Sequence, residues 1–167
     1  MIDSLDPDLH RVTELSAEAM APLMQEAKRD GHGFVERLLR EWDSGANRFD
    51  APGEALFAKM QGASIVGIGG LNIDPYANDP TTGRVRHLYV RSSQRRCGVG
   101  RQLLGCIFRA ATGSFARLHL RTSSPAAAEF YVRCGFAPVS GTPNVTHTIA
   151  VANSIPGPLA TADESSR

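Results

Sequence analysis

The chain has 167 residues, enough for one domain and short for two. An apolar fraction of 42% supports an ordinary buried core, and no apolar run reaches the ~18 residues that a membrane-spanning helix needs. The formal net charge of +1 conceals a split, because residues 1–79 carry 14 acids against 7 bases and residues 80–167 carry 3 acids against 11 bases.

The N-terminal stretch Met1–Asp6 is acidic and has no apolar segment, so no secretory signal is expected. Leu15, Met20, Leu23, Met24 and Ala27 recur at helical intervals, which predicts a helix with Ser16 as N-cap, ended at Gly31 and Gly33. Pro22 sits in its first turns or kinks it. Phe34, Val35, Leu38, Leu39 and Trp42 form the stripe of a second helix closed by Gly45, with Glu36, Arg37, Arg40 and Glu41 on the solvated face. The period then becomes that of strands: 55–60, a Gln61-Gly62 turn, and 64–71 read as a β-hairpin. The glycines of its second strand predict a close backbone approach or a bulge on that strand. A loop over 74–83 and a third strand over 84–90 follow. Residues 100–111 read as a helix ended by Gly113, and 117–122 as a short strand. Ser124-Pro125 then opens a helix that runs to Cys134 and stops at Gly135. Two last strands are expected over 136–139 and 146–151. This order describes a single mixed α/β domain over residues 1–152. The Pro/Gly/Ser/Ala-rich tail 153–167 is expected to be disordered.

Between Pro80 and Ala128 there is no acid, while nine arginines fall there; the only lysines of the chain are Lys28 and Lys59. Arginine forks suit phosphate oxygens, so the second half reads as a polyanion-binding surface. Cys97, Cys106 and Cys134 lack CxxC spacing, which argues against a zinc site and a disulfide scaffold and fits a reducing cytoplasm. Within the basic half, VRSSQRRCGVGRQLL (residues 90–104) runs from a strand end through a glycine loop into an amphipathic helix. Backbone N–H groups and the positive helix end then converge on one spot suited to an anion. Gly98 and Gly100 let the backbone approach a phosphate, and Arg95, Arg96 and Arg101 add charge. A dinucleotide fingerprint would need glycine where Leu103 stands and an acid ~20 residues on, and a Walker loop would need Gly-Lys-Ser/Thr; neither is present.

Arg95-Arg96-Cys97-Gly98-Val99-Gly100 resembles the Arg/Gln-x-x-Gly-x-Gly/Ala loop of the GNAT superfamily of acyl-CoA-dependent N-acyltransferases. Leu88-Tyr89-Val90 is similar to the strand before that loop, and residues 128–136 (AEFYVRCGF) resemble the family's Ala-x-x-Tyr-x-x-x-Gly-Phe helix end. The resemblance covers residues 10–151. It implies a central, mostly antiparallel sheet with helices on both faces, whose fourth and fifth strands splay to admit coenzyme A. The amides of Cys97, Gly98, Val99, Gly100 and Arg101 would then hold the pyrophosphate, and the backbone of Leu88, Tyr89 and Val90 would carry the pantetheine. Ser124 stands where the family often has a cofactor-contacting Asn, and its side chain is shorter. Tyr131 matches the tyrosine near the CoA sulfur, a general acid, and the Val90 amide would polarise the thioester carbonyl. Members of the family are often dimers.

Direct transfer also needs a neutral amine. Where many members carry a glutamate, the stretch Arg84-Val85-Arg86-His87 has no carboxylate, and His87 is the one neutral-pH base there. Strand alternation sets His87 on the face opposite Arg86 and Leu88 unless a bulge intervenes. A packing role for His87 and deprotonation through water stand beside the base reading, and Arg84 and Arg86 could instead bind an acidic substrate. His119 alternates with Leu118 and Leu120, so it faces away from their side of the sheet, and no role is assigned to it. An acyl-cysteine route through Cys97 is the minor alternative, since direct transfer needs no nucleophile. The expected function is transfer of an acetyl group from acetyl-CoA to a primary amine of a small molecule, without a metal. Alternatives are a protein or peptide acceptor and a non-catalytic CoA-binding module. A nucleic-acid partner is disfavoured because the arginines are not interleaved with exposed aromatics.

Overall fold

The structure, a computed structural model, describes residues 6–152, so the tail expected to be disordered lies outside the described residues. The chain runs β1 (Leu9–Arg11), α1 (Ala17–Arg29), α2 (Phe34–Ser44), β2 (Ala55–Gln61), β3 (Ser64–Ile73), β4 (Thr82–Val90), α3 (Val99–Ala111), β5 (Arg117–Leu120), α4 (Pro125–Arg133), β6 (Ala137–Pro138) and β7 (His147–Ala150). These strands form one seven-stranded sheet in the order β1-β2-β3-β4-β5-β7-β6. Neighbours are antiparallel except β4 and β5, which are parallel.

Local chemistry explains the helix ends. The Ser16 hydroxyl accepts from the Ala19 N–H at 3.1 Å and the Ser124 hydroxyl from the Ala127 N–H at 3.3 Å, each satisfying a donor that the first turn leaves open. Pro22 lies inside α1 without ending it. β1 has no counterpart in the periodicity reading: three residues at a sheet edge carry too little pattern to read, and pairing with β2 holds it in place.

The apolar stripes of α1 and α2 cover one face of the sheet, with Met20, Leu23, Val35 and Leu38 packed on Leu56, Ile68 and Tyr89. α3 and α4 cover the other face, with Leu104, Ile107, Tyr131 and Phe136 packed on Val85, Leu118 and Leu120. β3 is buried through its interior, and its glycines permit that packing. A Cβ at Gly70 would stand 2.5 Å from the Phe49 ring, and one at Gly69 would stand 2.8 Å from Leu88. Close approach therefore occurs at these glycines, whereas the irregularity of β3 itself falls at Val66, opposite Lys59 and Met60, and the bulge opposite Gly69 lies on β4.

Candidate active site

Two departures from a regular sheet build the site. The first is a gap. β4 and β5 pair only from Thr82↔Arg117 to Arg84↔His119, while β4 continues on β3 as far as Gly67↔Val90. Beyond Arg84 the strands part. The Arg91 N–H donates to the Val66 carbonyl at 2.9 Å, so by antiparallel alternation the N–H and C=O of Val90 point away from β3, toward the gap. The Val90 carbonyl accordingly accepts from Arg95 Nε at 2.9 Å.

The second departure is the bulge. The β3–β4 register slips between Ile68↔Tyr89 and Gly70↔Arg86, so Gly69 faces both His87 and Leu88. His87 takes φ +59, rare for a residue with a Cβ. The side chains then change faces. Arg86 reaches Glu41 of α2 at 4.0 Å, His87 packs on Phe34 and Phe49 on that same face, and Leu88 turns to the α3/α4 core. The expectation from alternation is corrected here: His87 shares the face of Arg86 and opposes only Leu88.

His87 is sealed in this packing, with no hydrogen bond at either ring nitrogen. Burial, followed by repulsion from Arg86 and Arg37, pushes its pKa down to about 3, only weakly opposed by the Phe34 backbone. An imidazole so reluctant to take a proton and closed to solvent is poorly placed to deprotonate an amine, and this geometry counts against the base reading of His87.

The loop after β4 enters a short 3-10 turn over Ser92–Gln94 and meets α3 at Gly98. Gly98 holds φ +79, and a Cβ built there would meet nothing within 4 Å, so the approach to the helix end is open. α3 has no side-chain cap and no acid in its first turn, which leaves the amides there without an internal partner. Arg96 and Arg101 are exposed, as is Cys97. Arg95 is tethered: besides the Val90 carbonyl it meets Asp30 at 3.8 Å and lies over the Tyr89 ring at 5.4 Å.

Sequence reasoning missed what holds this loop. The Glu26 carboxylate, on α1, accepts from the Ser92 N–H at 3.0 Å and from the Ser92 hydroxyl, and faces Arg91 at 3.7 Å. Burial would raise its pKa, but the two Ser92 bonds and the charges of Arg91 and Arg95 more than offset that and leave it lowered. One turn on, Asp30 accepts from the Tyr89 hydroxyl at 3.1 Å. Both acids lie in a stretch without unusual spacing, and no sequence signal marks their partners.

On the α3/α4 side, Tyr131 is buried among Phe130, Phe136 and His147. Burial, with a smaller contribution from Cys134, raises the pKa of its phenol, so the group stays protonated. Its hydroxyl bonds to none of the described residues and is not among the sealed polar atoms. Ser124 is committed to capping α4. Burial pushes the Cys134 thiol up, against the nearby Arg101 charge.

On the α1/α2 face an open cleft of ≈ 290 Å³ is lined by Glu41, Asn47, Glu54, Asn72, Pro75 and Arg86, among others. Glu54 is occupied within it, accepting from Asn72 Nδ2 at 2.8 Å and the Ile73 N–H at 2.9 Å. Glu41 has only long ion pairs, to Arg37 at 3.9 Å and to Arg86, so the carboxylate first read as solvated faces a pocket. Arg84 is drawn away from any acidic substrate by the Asn144 carbonyl at 2.8 Å. Among the described residues no group of His, Cys, Asp and Glu side chains is arranged to hold a metal, and no helix is long and apolar enough to cross a membrane.

A splayed mixed sheet, a β4 bulge and an uncapped helix after a glycine loop define the fold of an acyl-CoA-dependent acyltransferase. The chain belongs to the Acetyltransferase (GNAT) family, whose model matches residues 11–136. A protein of Exiguobacterium sp. 255-15 assigned as an acetyltransferase is 31% identical, with 85% of this chain and 91% of that chain covered and a TM-score of 0.75. The fold is shared with a GNAT acetyltransferase of Staphylococcus aureus Mu50 at 15% identity, covering 86% and 99% of the two chains with a TM-score of 0.62. It is also shared with the GNAT N-acetyltransferase YhbS of Escherichia coli, solved with CoA, at 15% identity, 87% and 81% coverage and a TM-score of 0.62. No curated protein matches the sequence.

Proposed function

We propose that the chain moves an acetyl group from acetyl-CoA to a primary amine of a small molecule by direct attack on the thioester. The observation that carries this reading is a continuous run of backbone turned away from β3, in which the Val90 carbonyl holds Arg95 and the Val90 N–H points to the gap. The open edge of β4 leads from the gap past Val90 to the uncapped amides of α3, a run suited to pantetheine at one end and pyrophosphate at the other. The CoA held by the Escherichia coli relative supports the same cofactor here.

In this reading the amides of Gly98, Val99, Gly100 and Arg101 bind the pyrophosphate, with Arg96 and Arg101 as the mobile charges and Cys97 at the rim. Arg95 acts from below, holding the loop to β4. Leu88 and Val90 offer backbone groups to the pantetheine, and Tyr89 is the buried strut between them. The Val90 N–H polarises the thioester carbonyl. Tyr131, kept protonated by burial, donates to the departing thiolate where little water competes. The amine arrives from the α1/α2 face, where the cleft at Arg86 and Glu41 opens beside the bulge. Three free cysteines support a cytoplasmic setting.

The test is thiol release from acetyl-CoA across small amines, amino acids and peptides. At least one small amine should drive release and be recovered acetylated. Tyr131→Phe should bind CoA as the wild type does and turn over ~10²-fold more slowly, within the range for a lost general acid. CoA binding with no acceptor consumed would overturn the enzymatic reading, and a peptide-only response would overturn the small-molecule one.

A further inference from the structure

Outside the elements used so far, one cluster has the geometry of a proton acceptor. Asp74, in the loop after β3, is buried with no side-chain exposure. Its Oδ2 lies 2.9 Å from His119 Nδ1 on β5 and 3.7 Å from Arg84 Nη1 on β4, and its Oδ1 accepts from the Tyr76 N–H at 3.0 Å. A carboxylate can only accept, so the neutral ring of His119 carries its proton on Nδ1 and its lone pair on Nε2. That nitrogen bonds to none of the described residues and, unlike both nitrogens of His87, is not sealed. The imidazole is thus oriented at one nitrogen and open at the other, the arrangement required of a base.

Its place in the sheet gives the cluster a use. Arg84↔His119 is the last rung joining β4 and β5, so His119 stands where the gap begins. Leu118 and Leu120 point into the α3/α4 core, so His119 points to the opposite face, the one where Arg86 and the cleft lie. Pro75, next to Asp74, lines that cleft. The bulge lies three residues farther along β4, roughly 10 Å at ~3.3 Å per residue, a separation within the reach of a short chain of hydrogen-bonded waters.

We propose that His119, held by Asp74, accepts the proton of the acceptor amine through water. The inference rests on the acetyltransferase reading. As the amine nitrogen forms its bond to the acetyl carbon, the C–S bond breaks and the thiolate takes a proton from Tyr131. The surplus proton of the amine passes through water to His119 Nε2 and then to solvent, while solvent returns the proton to Tyr131. Amine and thioester become amide and thiol, with atoms and charge balanced. Asp74 is a positioning residue: it fixes the tautomer and sits opposite the charge that forms on the ring. Asp74 touches the imidazole, Arg84 is its partner on the last β4–β5 rung and itself pairs with Asp74 and lies over the Tyr76 ring, and Arg117 and Arg121 are its same-face neighbours along β5. The residue paired with it on β7 is the uncharged Thr148.

The experiment compares the wild type with His119→Ala, His119→Gln and Asp74→Asn on an amine that the wild type acetylates. It reads kcat, the KM for acetyl-CoA, CoA binding, the unfolding midpoint, and rescue by added imidazole. His119→Ala should bind CoA within ~3-fold of the wild type and lose ~10²- to 10⁴-fold in kcat, and free imidazole should restore part of that loss in proportion to its concentration. His119→Gln should lose a similar factor without responding to imidazole, and Asp74→Asn should lose less. Nitrogen NMR of the wild type, which does not depend on a variant folding, should find His119 protonated on Nδ1. Turnover in His119→Ala within ~3-fold of wild type, a loss that imidazole does not touch, or a proton on Nε2 would overturn the dyad while leaving the acetyltransferase reading in place. A wild type that binds CoA and acetylates no amine would instead overturn both.

Discussion

Glu26 shows how a single carboxylate can serve a cofactor loop that it never needs to touch the cofactor to support. It satisfies the Ser92 N–H and hydroxyl and stands against Arg91, at the point where β4 gives way to the loop. Replacing it by Ala removes an ionised acceptor from two part-buried hydrogen bonds, a loss of about 1–3 kcal/mol. Glu26→Ala should therefore lower the unfolding free energy by that amount and weaken CoA binding, measured by denaturant titration and calorimetric titration; unchanged values in both would contradict the role. The residues legible from sequence were those whose partners are near in the chain. Ser16 and Ser124 cap helices three residues on, and both were readable. Glu26 bonds to a residue 66 positions away, and Glu41 reaches Arg86 of β4, so both looked like ordinary helix-face acids. His119 was set on the correct face by alternation, but its partner Asp74 lay in a loop that spacing could not orient.

At the scale of elements, the β4 bulge decides which side chains meet the α1/α2 face. Its position is not readable from the pattern, because an inserted residue is invisible to a period of two; the family resemblance allows for a bulge in this strand but does not place it. His87, at the bulge, gives it a thermodynamic signature. The folded imidazole takes a proton only near pH 3, whereas an unfolded histidine takes one near its model value of 6.5. Between those values the unfolded chain binds a proton that the folded chain does not, so stability is complete above pH 6.5 and falls as the pH drops toward 3. The slope from this one group is about 1.4 kcal/mol per pH unit. Unfolding curves at pH 7, 6 and 5 should show that slope diminished in His87→Asn, since Asn tolerates the left-handed backbone and does not titrate there. Parallel curves for the two proteins would contradict the burial account. The strand–helix order was otherwise well marked by period and punctuation, and β1 escaped because an edge strand of three residues is held by its neighbour rather than by its own pattern.

Across the whole molecule, part of the charge split is internal. Acids of the first half pair with arginines of the second: Glu26 with Arg91, Asp30 with Arg95, Glu41 with Arg86, Asp74 with Arg84. Four of the nine arginines in the acid-free stretch are thus paired by the fold; Arg96, Arg101, Arg109, Arg117 and Arg121 are exposed, and of these Arg96 and Arg101 lie beside the helix end. A polyanion as small as a pyrophosphate matches the charge at that helix end. The same pairs tie α1, α2 and the loop after β3 to β4 and the loop that follows it, so the proposed acceptor and cofactor faces are built on one frame. The central claim is that one run of backbone, from the gap to the α3 N-terminus, receives coenzyme A. Amide hydrogen exchange with and without CoA measures it residue by residue. Exchange should slow at Leu88 and Val90 and at Gly98 through Arg101, with β1 and β2 unchanged. Exchange at those amides that CoA leaves untouched, or protection confined to another face, would contradict it.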